Sequence, residues 1–188
     1  NVLLIGDSIT ESGHSNTHTA HAFKSLNYSG SANIVNAAIG GHTARAANII
    51  LPRTVAKMPN PDLIVIFLGA NDCNSLCKKP EISEGIFEYQ LLSLITRVNN
   101  LTESNAEFLL VNGMPRISRE DMKSVGKVET ISGAYTKLKE KYGLEVVDTM
   151  SVFNKLGVED MKAYYNDTIH PKQEGHKFIS KFIAEKLQ

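Results

Sequence analysis

Two kinds of apolar pattern alternate along the chain. Short continuous runs at Val2 to Ile5, Asn33 to Val35, Leu63 to Leu68, Phe108 to Val111 and Leu144 to Val147 have the length of buried strands. Between them, Ala44 to Ala56, Gly85 to Val98, Val125 to Tyr142 and Gln173 to Leu187 repeat apolar residues every three or four positions, the spacing of a helix with one buried face. Gly143 ends the third of these helices, as a glycine can by taking the left-handed conformation. Strand–helix alternation of this kind predicts a parallel sheet with helices on both faces.

The polar residues that interrupt this pattern collect where strands end. The first strand runs into Gly6-Asp7-Ser8, the second into Asn36-Ala37-Ala38-Ile39-Gly40-Gly41-His42-Thr43, and the third into Gly69-Ala70-Asn71-Asp72. In a parallel sheet these turns share one rim, the side on which open α/β folds bind ligands. By itself a serine after a strand is more often a helix cap than a nucleophile. The carboxyl-terminal segment Asp167-Thr168-Ile169-His170-Pro171 shifts that balance. A tight turn brings residues i and i+3 within about 7 Å, so the Asp167 carboxylate can meet one imidazole nitrogen of His170 and leave the other for a serine.

Serine hydrolysis needs an activated hydroxyl, a base held in one tautomer, and donors for the charge that develops on a carbonyl oxygen. Ser8 can attack, His170 can take its proton and pass it to the leaving alkoxide, and Asp167 can orient the imidazole. Gly41 offers a backbone N–H that a substrate can approach closely for want of a Cβ. The Asn71 amide and the Ser8 N–H can converge from neighbouring strand ends to complete an oxyanion hole. No metal or organic cofactor is needed for this chemistry.

In these blocks the chain resembles the SGNH hydrolases, the GDSL esterase/lipase family: Gly6-Asp7-Ser8-Ile9-Thr10, Gly41 within Asn36 to Thr43, Gly69-Ala70-Asn71-Asp72, and Asp167-x-x-His170, in the family's order. Each block is weak alone, but together they span nearly the whole chain. The resemblance implies a three-layer α/β/α sandwich with a flavodoxin-like sheet of five parallel strands, and a metal-independent Ser-His-Asp mechanism. A finer similarity, to the isoamyl-acetate-hydrolysing esterases, rests on Arg45 to Arg53, on Gly-Ala-Asn-Asp at 69–72, and on the spacing to Glu88-Tyr89. It implies esters of short or medium acids with small alcohols. The glycine usual after the triad aspartate is Thr168 here.

Composition narrows the remaining choices. At 188 residues and 42% hydrophobic content the chain suits one domain, residues 1–188, which would bury roughly 70% of its unfolded surface. Its 20 basic and 20 acidic residues cancel without segregating, and Lys78-Lys79 and Lys137 to Lys141 read as solvated surface, so neither nucleic acid nor an anionic membrane is an expected partner. No apolar stretch reaches the ~20 residues of a membrane span. Cys73 and Cys77 read as free thiols, and the sequons at Asn27, Asn100 and Asn166 matter only in a secreted protein, so the expected compartment is the cytoplasm unless a leader was removed. A homodimer is compatible with the chain.

Other polar residues have structural readings. Asn36 is expected to bond turn backbone and Asp72 to cap the helix or loop after its strand. His14, His18 and His21 have metal-like spacing but no acidic or cysteine partner among them, so they read as a polar loop entering a helix. His176 is expected on the surface of the last helix. His42 beside Gly41 is a candidate substrate contact, and Tyr164 and Tyr165 pack beneath the histidine loop. Segment 115–124 reads as a loop overhanging the site. The reading is therefore a serine esterase for small carboxylic esters. The alternatives are a carbohydrate acetylesterase or lysophospholipase using the same groups, and a binding module of this fold without turnover.

Overall fold

The computed structural model describes residues 1–12, 17–26, 31–72, 83–115 and 125–188, with the backbone alone at 125–130 and 158. His14, Asn27, Lys78-Lys79, both cysteines and residues 116–124 lie outside the described set.

Five parallel strands, β1 (Val2–Gly6), β2 (Ile34–Asn36), β3 (Leu63–Phe67), β4 (Glu107–Val111) and β5 (Glu145–Val147), form one sheet in the order β2-β1-β3-β4-β5. The chain leaves β1 to one side and returns to its other side as β3, which makes the carboxyl ends of β1 and β3 a topological switch point. Both faces are covered, so alternate strand residues feed different cores. Leu3, Ile5, Ile64 and Ile66 pack with Leu51, Leu91 and Tyr135, whereas Val2, Leu4, Val65 and Phe67 pack with Ile9, Phe153, Ile179 and Ile183. This explains why the strands read as continuous apolar runs.

The long helices α3 (Ala44–Val55), α4 (Glu84–Leu101), α5 (Val125–Tyr142) and α8 (Gln173–Lys186) follow the predicted segments within a few residues. Thr43 and Ser83 cap α3 and α4 through side-chain acceptors, and the Gly143 N–H closes α5 onto the Lys139 carbonyl at 3.0 Å with φ of 66°. The pattern did not predict α1 (Ser8–Glu11), α2 (His18–Ser25), α6 (Thr149–Asn154) or α7 (Val158–Lys162), which have too few turns to establish a helical period.

Two histidine expectations are corrected. His176 is buried, not on the surface, because it shares the inward stripe of α8 with Ile179, Ser180 and Ile183. His18 is fully buried as the first residue of α2, behind the Thr17 cap, and its ring lies 5.0 Å from that of Phe67. Packing of α2 against α8 closes over both rings, a tertiary event that local polarity does not reveal.

Candidate active site

At the end of β1, Asp7 has extended backbone and is completely buried, and its Oδ1 accepts the Ile9 N–H at 2.9 Å, capping α1. Ser8 is therefore the first residue of a helix that starts at the sheet rim. A Cβ on Gly6 would fall 2.5 Å from the Thr10 hydroxyl, so only glycine lets α1 fold back so tightly on its strand. Burial pushes the Asp7 carboxyl up to about 7. The Ile9 bond opposes this and the charge of Asp72 adds to it.

His170 comes from the segment between α7 and α8. Tyr165 bridges Pro171 in antiparallel fashion, and the Asn166 N–H reaches the His170 carbonyl at 2.8 Å, closing a narrow loop. Inside it, Asp167 Oδ1 accepts the N–H groups of Ile169 and His170, each at 2.7 Å, and Oδ2 lies 2.7 Å from His170 Nδ1. Thr168 is exposed at the tip. Partial burial raises the Asp167 pKa, but its three hydrogen bonds and the nearby imidazole outweigh this and bring it down to about 2. His170 Nε2 lies 2.9 Å from Ser8 Oγ. The Asp167 and His170 side chains are 54% and 38% exposed, so both members of the relay are open to solvent.

The tyrosines support this loop from below. Tyr165 hydroxyl donates to the Pro115 carbonyl, and Tyr164 packs against Phe153 and Phe178. A Cβ on Gly175 would strike the Tyr164 carbonyl at 2.3 Å, so a glycine in the first turn of α8 lets the loop close.

The turn after β2 is held from several sides. Asn36 Oδ1 accepts the Ala38 N–H and its Nδ2 donates to the Thr10 carbonyl, in keeping with a structural role. Asn71 Nδ2 donates to the His42 carbonyl at 3.0 Å and lies 3.4 Å from Asp7 Oδ2. Both Asp72 oxygens accept the Ala44 N–H, at 3.1 and 3.2 Å. Asp72 thus supports α3, the helix before its strand, while the segment after its strand, which it was expected to cap, lies outside the described residues. The sheet order sets the β3 end beside the turn that starts α3. Burial raises the Asp72 pKa to about 6 against the opposing Ala44 bond.

Gly41 has a φ of 76°, and a Cβ there would meet nothing within 4 Å, so backbone conformation, not crowding within the protein, requires glycine. Neither the Gly41 N–H nor the Ser8 N–H has an acceptor among the described residues. The His42 ring is half-buried, and burial lowers its pKa while the charge of Glu11 raises it in part. Glu11 was not singled out from the sequence, yet its Oε2 accepts the Gly40 N–H at 2.8 Å. The only local signal was its place three residues after Ser8.

An Asp–His–Ser chain of this geometry can draw a proton from the hydroxyl into the imidazole while the carboxylate stabilises the cation that forms. Among the described residues, no three histidine, cysteine, aspartate or glutamate side chains gather to hold a metal ion.

Residues 4–178 match the model of the GDSL-like lipase/acylhydrolase family. The chain belongs to that family. Membership makes it a carboxylic ester hydrolase. It is 24% identical over 194 residues to the isoamyl acetate-hydrolyzing esterase 1 homolog of Bos taurus, covering 95% of this chain and 77% of the relative, and 22% identical over 202 residues to the Homo sapiens counterpart with the same coverage. Among solved structures, an acetylxylan esterase from Geobacillus stearothermophilus superposes with a TM-score of 0.79 at 22% identity, over 99% of this chain and 93% of that one. A second acetyl xylan esterase gives 0.81 at 18% identity, with complete coverage of both chains. These neighbours show the same α/β fold as this family member. No helix of the described residues is long and apolar enough to cross a membrane.

Proposed function

We propose that the protein hydrolyses small carboxylic esters through an acyl-enzyme on Ser8. The observation that carries this reading is the unbroken chain from Asp167 Oδ2 through His170 to Ser8 Oγ, at 2.7 and 2.9 Å. His170 Nε2 takes the hydroxyl proton as Ser8 Oγ bonds to the ester carbonyl carbon, and the same proton then goes to the departing alkoxide. Water, deprotonated by His170, releases the acid and restores Ser8. Asp167 stays ionised throughout and fixes the imidazole with Nδ1 protonated.

The charge on the carbonyl oxygen meets the Ser8 and Gly41 N–H groups and the Asn71 amide. Of the two Asn71 amide hydrogens, one is committed to the His42 carbonyl, and the other, only loosely held toward Asp7, turns to the oxyanion. Removing one such donor elsewhere costs about 3 kcal/mol in the transition state. His42, next to Gly41, borders the incoming substrate. The small, uncharged ester class is supported by similarity to esterases named for isoamyl acetate hydrolysis. A second reading, removal of acetyl groups from carbohydrate, is supported by the acetylxylan esterases among the structural neighbours.

One plate tests both readings. p-Nitrophenyl esters of increasing acyl length, isoamyl acetate and acetylated xylooligosaccharides are offered to the protein and to its Ser8→Ala variant. Turnover of short esters that disappears in Ser8→Ala is expected. Turnover that survives in Ser8→Ala overturns the mechanism, and acetate release from the oligosaccharide alone selects the second substrate class.

A further inference from the structure

Resting on the oxyanion hole just proposed, we infer that Glu11 is a positioning residue for it: by gripping the Gly40 N–H, the Glu11 carboxylate sets the direction in which Gly41 presents its own. Helix α1 begins at Ser8 and ends at Glu11, so the two side chains leave the same short helix one turn apart. Glu11 Oε2 reaches across to Gly40 N at 2.8 Å, a charge-assisted bond between segments 29 residues apart.

Space is tight on this side of the turn. A Cβ on Gly40 would lie 2.7 Å from Glu11 Oε2 and 3.7 Å from Ser8 Cβ, so Gly40 sits between the two side chains, and a methyl group there would push the Glu11 carboxylate away. Gly41 is unconfined, with open space around its Cβ position and a φ of 76°. Two consecutive glycines give this stretch wide torsional freedom, and an oxyanion donor is effective only when its direction is set before reaction.

The other ties of the turn are at its ends. Ile39 N–H bonds the Gly6 carbonyl at 3.1 Å, His42 N–H closes on the Ile39 carbonyl at 3.2 Å, and Asn71 holds the His42 carbonyl. Among the described residues, only the Glu11 contact ties the middle of the turn to the helix that carries the nucleophile. Glu11 is exposed, so the contact adds little to packing, and its main consequence is registration of one part of the site against another.

Glu11→Ala and Glu11→Gln, measured with a short p-nitrophenyl ester, test the assignment. Glu11→Ala should lower kcat about tenfold at nearly constant KM and melting temperature, and slow phosphonylation of Ser8 in parallel, because the phosphoryl oxygen uses the same donors. Glu11→Gln keeps an oxygen acceptor and should recover most of the loss. A Glu11→Ala kcat within about twofold of wild type, a change in KM alone, or a Glu11→Gln as slow as Glu11→Ala overturns the inference. Ser8→Ala, run alongside, separates the two levels. If Ser8→Ala remains active, the underlying mechanism fails, whereas an inert Ser8→Ala beside a wild-type Glu11→Ala rejects the role of Glu11 alone.

Discussion

His18 stacks on His176 with ring centroids 5.7 Å apart and planes 16° from parallel. Neither nitrogen of His18, nor Nδ1 of His176, has a hydrogen-bond partner among the described residues. Burial, reinforced by the charges of neighbouring histidines, lowers the pKa of His18 to about 3 and that of His176 to about 4. Both lie below the ordinary histidine value of 6.5, so the unfolded chain binds more protons than the folded one as pH falls through that value.

The stability these rings contribute is therefore complete above pH ~6.5 and is lost on acidification, by an amount on the order of 3 kcal/mol per ring near pH 4. The raised pKa values of Asp7 and Asp72 act in the opposite direction, because their buried charge is relieved as pH falls through about 7 and 6. Comparison with His18→Phe isolates the histidine contribution. Melting temperatures of the two proteins between pH 8 and pH 4 should move in favour of the variant below pH 6.5, and a constant difference would count against the buried neutral ring.

Asn71→Ala should reduce kcat by about a hundredfold with a smaller effect on KM, since the amide acts on charge present mainly in the transition state. The same change frees the His42 carbonyl and Asp7 Oδ2 of a donor, so some loss of thermal stability accompanies it. Steady-state kinetics on a folded sample decide the point. A kcat near wild type removes Asn71 from the oxyanion hole.

At Gly41 the expected damage comes from backbone strain. A β-branched residue at a φ of 76° costs roughly 1–3 kcal/mol, while asparagine tolerates that region far better. Gly41→Val should therefore lose more activity than Gly41→Asn, although both side chains enter open space. Equal losses from the two variants would show that bulk near the substrate, not φ, governs the position.

Asp167→Asn should fold normally and lose at least about a hundredfold in kcat, because an amide no longer fixes the imidazole tautomer. The depressed pKa of Asp167 keeps the wild-type carboxylate ionised down to about pH 2, so its own titration should not limit activity in mildly acidic assays. Asp72→Asn should lower the melting temperature, through its bonds to the α3 amino terminus, more than it lowers kcat. The reverse pattern in rate and melting data would make Asp72 the acidic partner of His170.

Much of the architecture was legible in the linear pattern. All five strands and the four long helices stand close to where apolar runs and helical periods set them, since a sheet buried on both faces demands continuous apolar residues. The Asp167–His170 pairing was also accessible, because a turn four residues long decides that distance locally. Short helices were not. Four to eight residues at α1 and α2 carry no recognisable period, and α2 declares itself only through the Thr17 cap.

What the sequence determined by itself was the set of polar turns at strand ends and the family to which they belong. Which of those groups meet was decided by the tertiary structure. Ser8 and His170 are 162 residues apart and come within 2.9 Å only because β1 is central in the sheet and the loop before α8 folds over its end. The same placement turned Asp72 toward Ala44, gave Glu11 its hold on Gly40, and sealed His18 and His176 between α2 and α8. Period and composition report a residue's preference for water or core over a few neighbouring positions, whereas these contacts depend on strand order and helix packing, which bring together segments with no local relation.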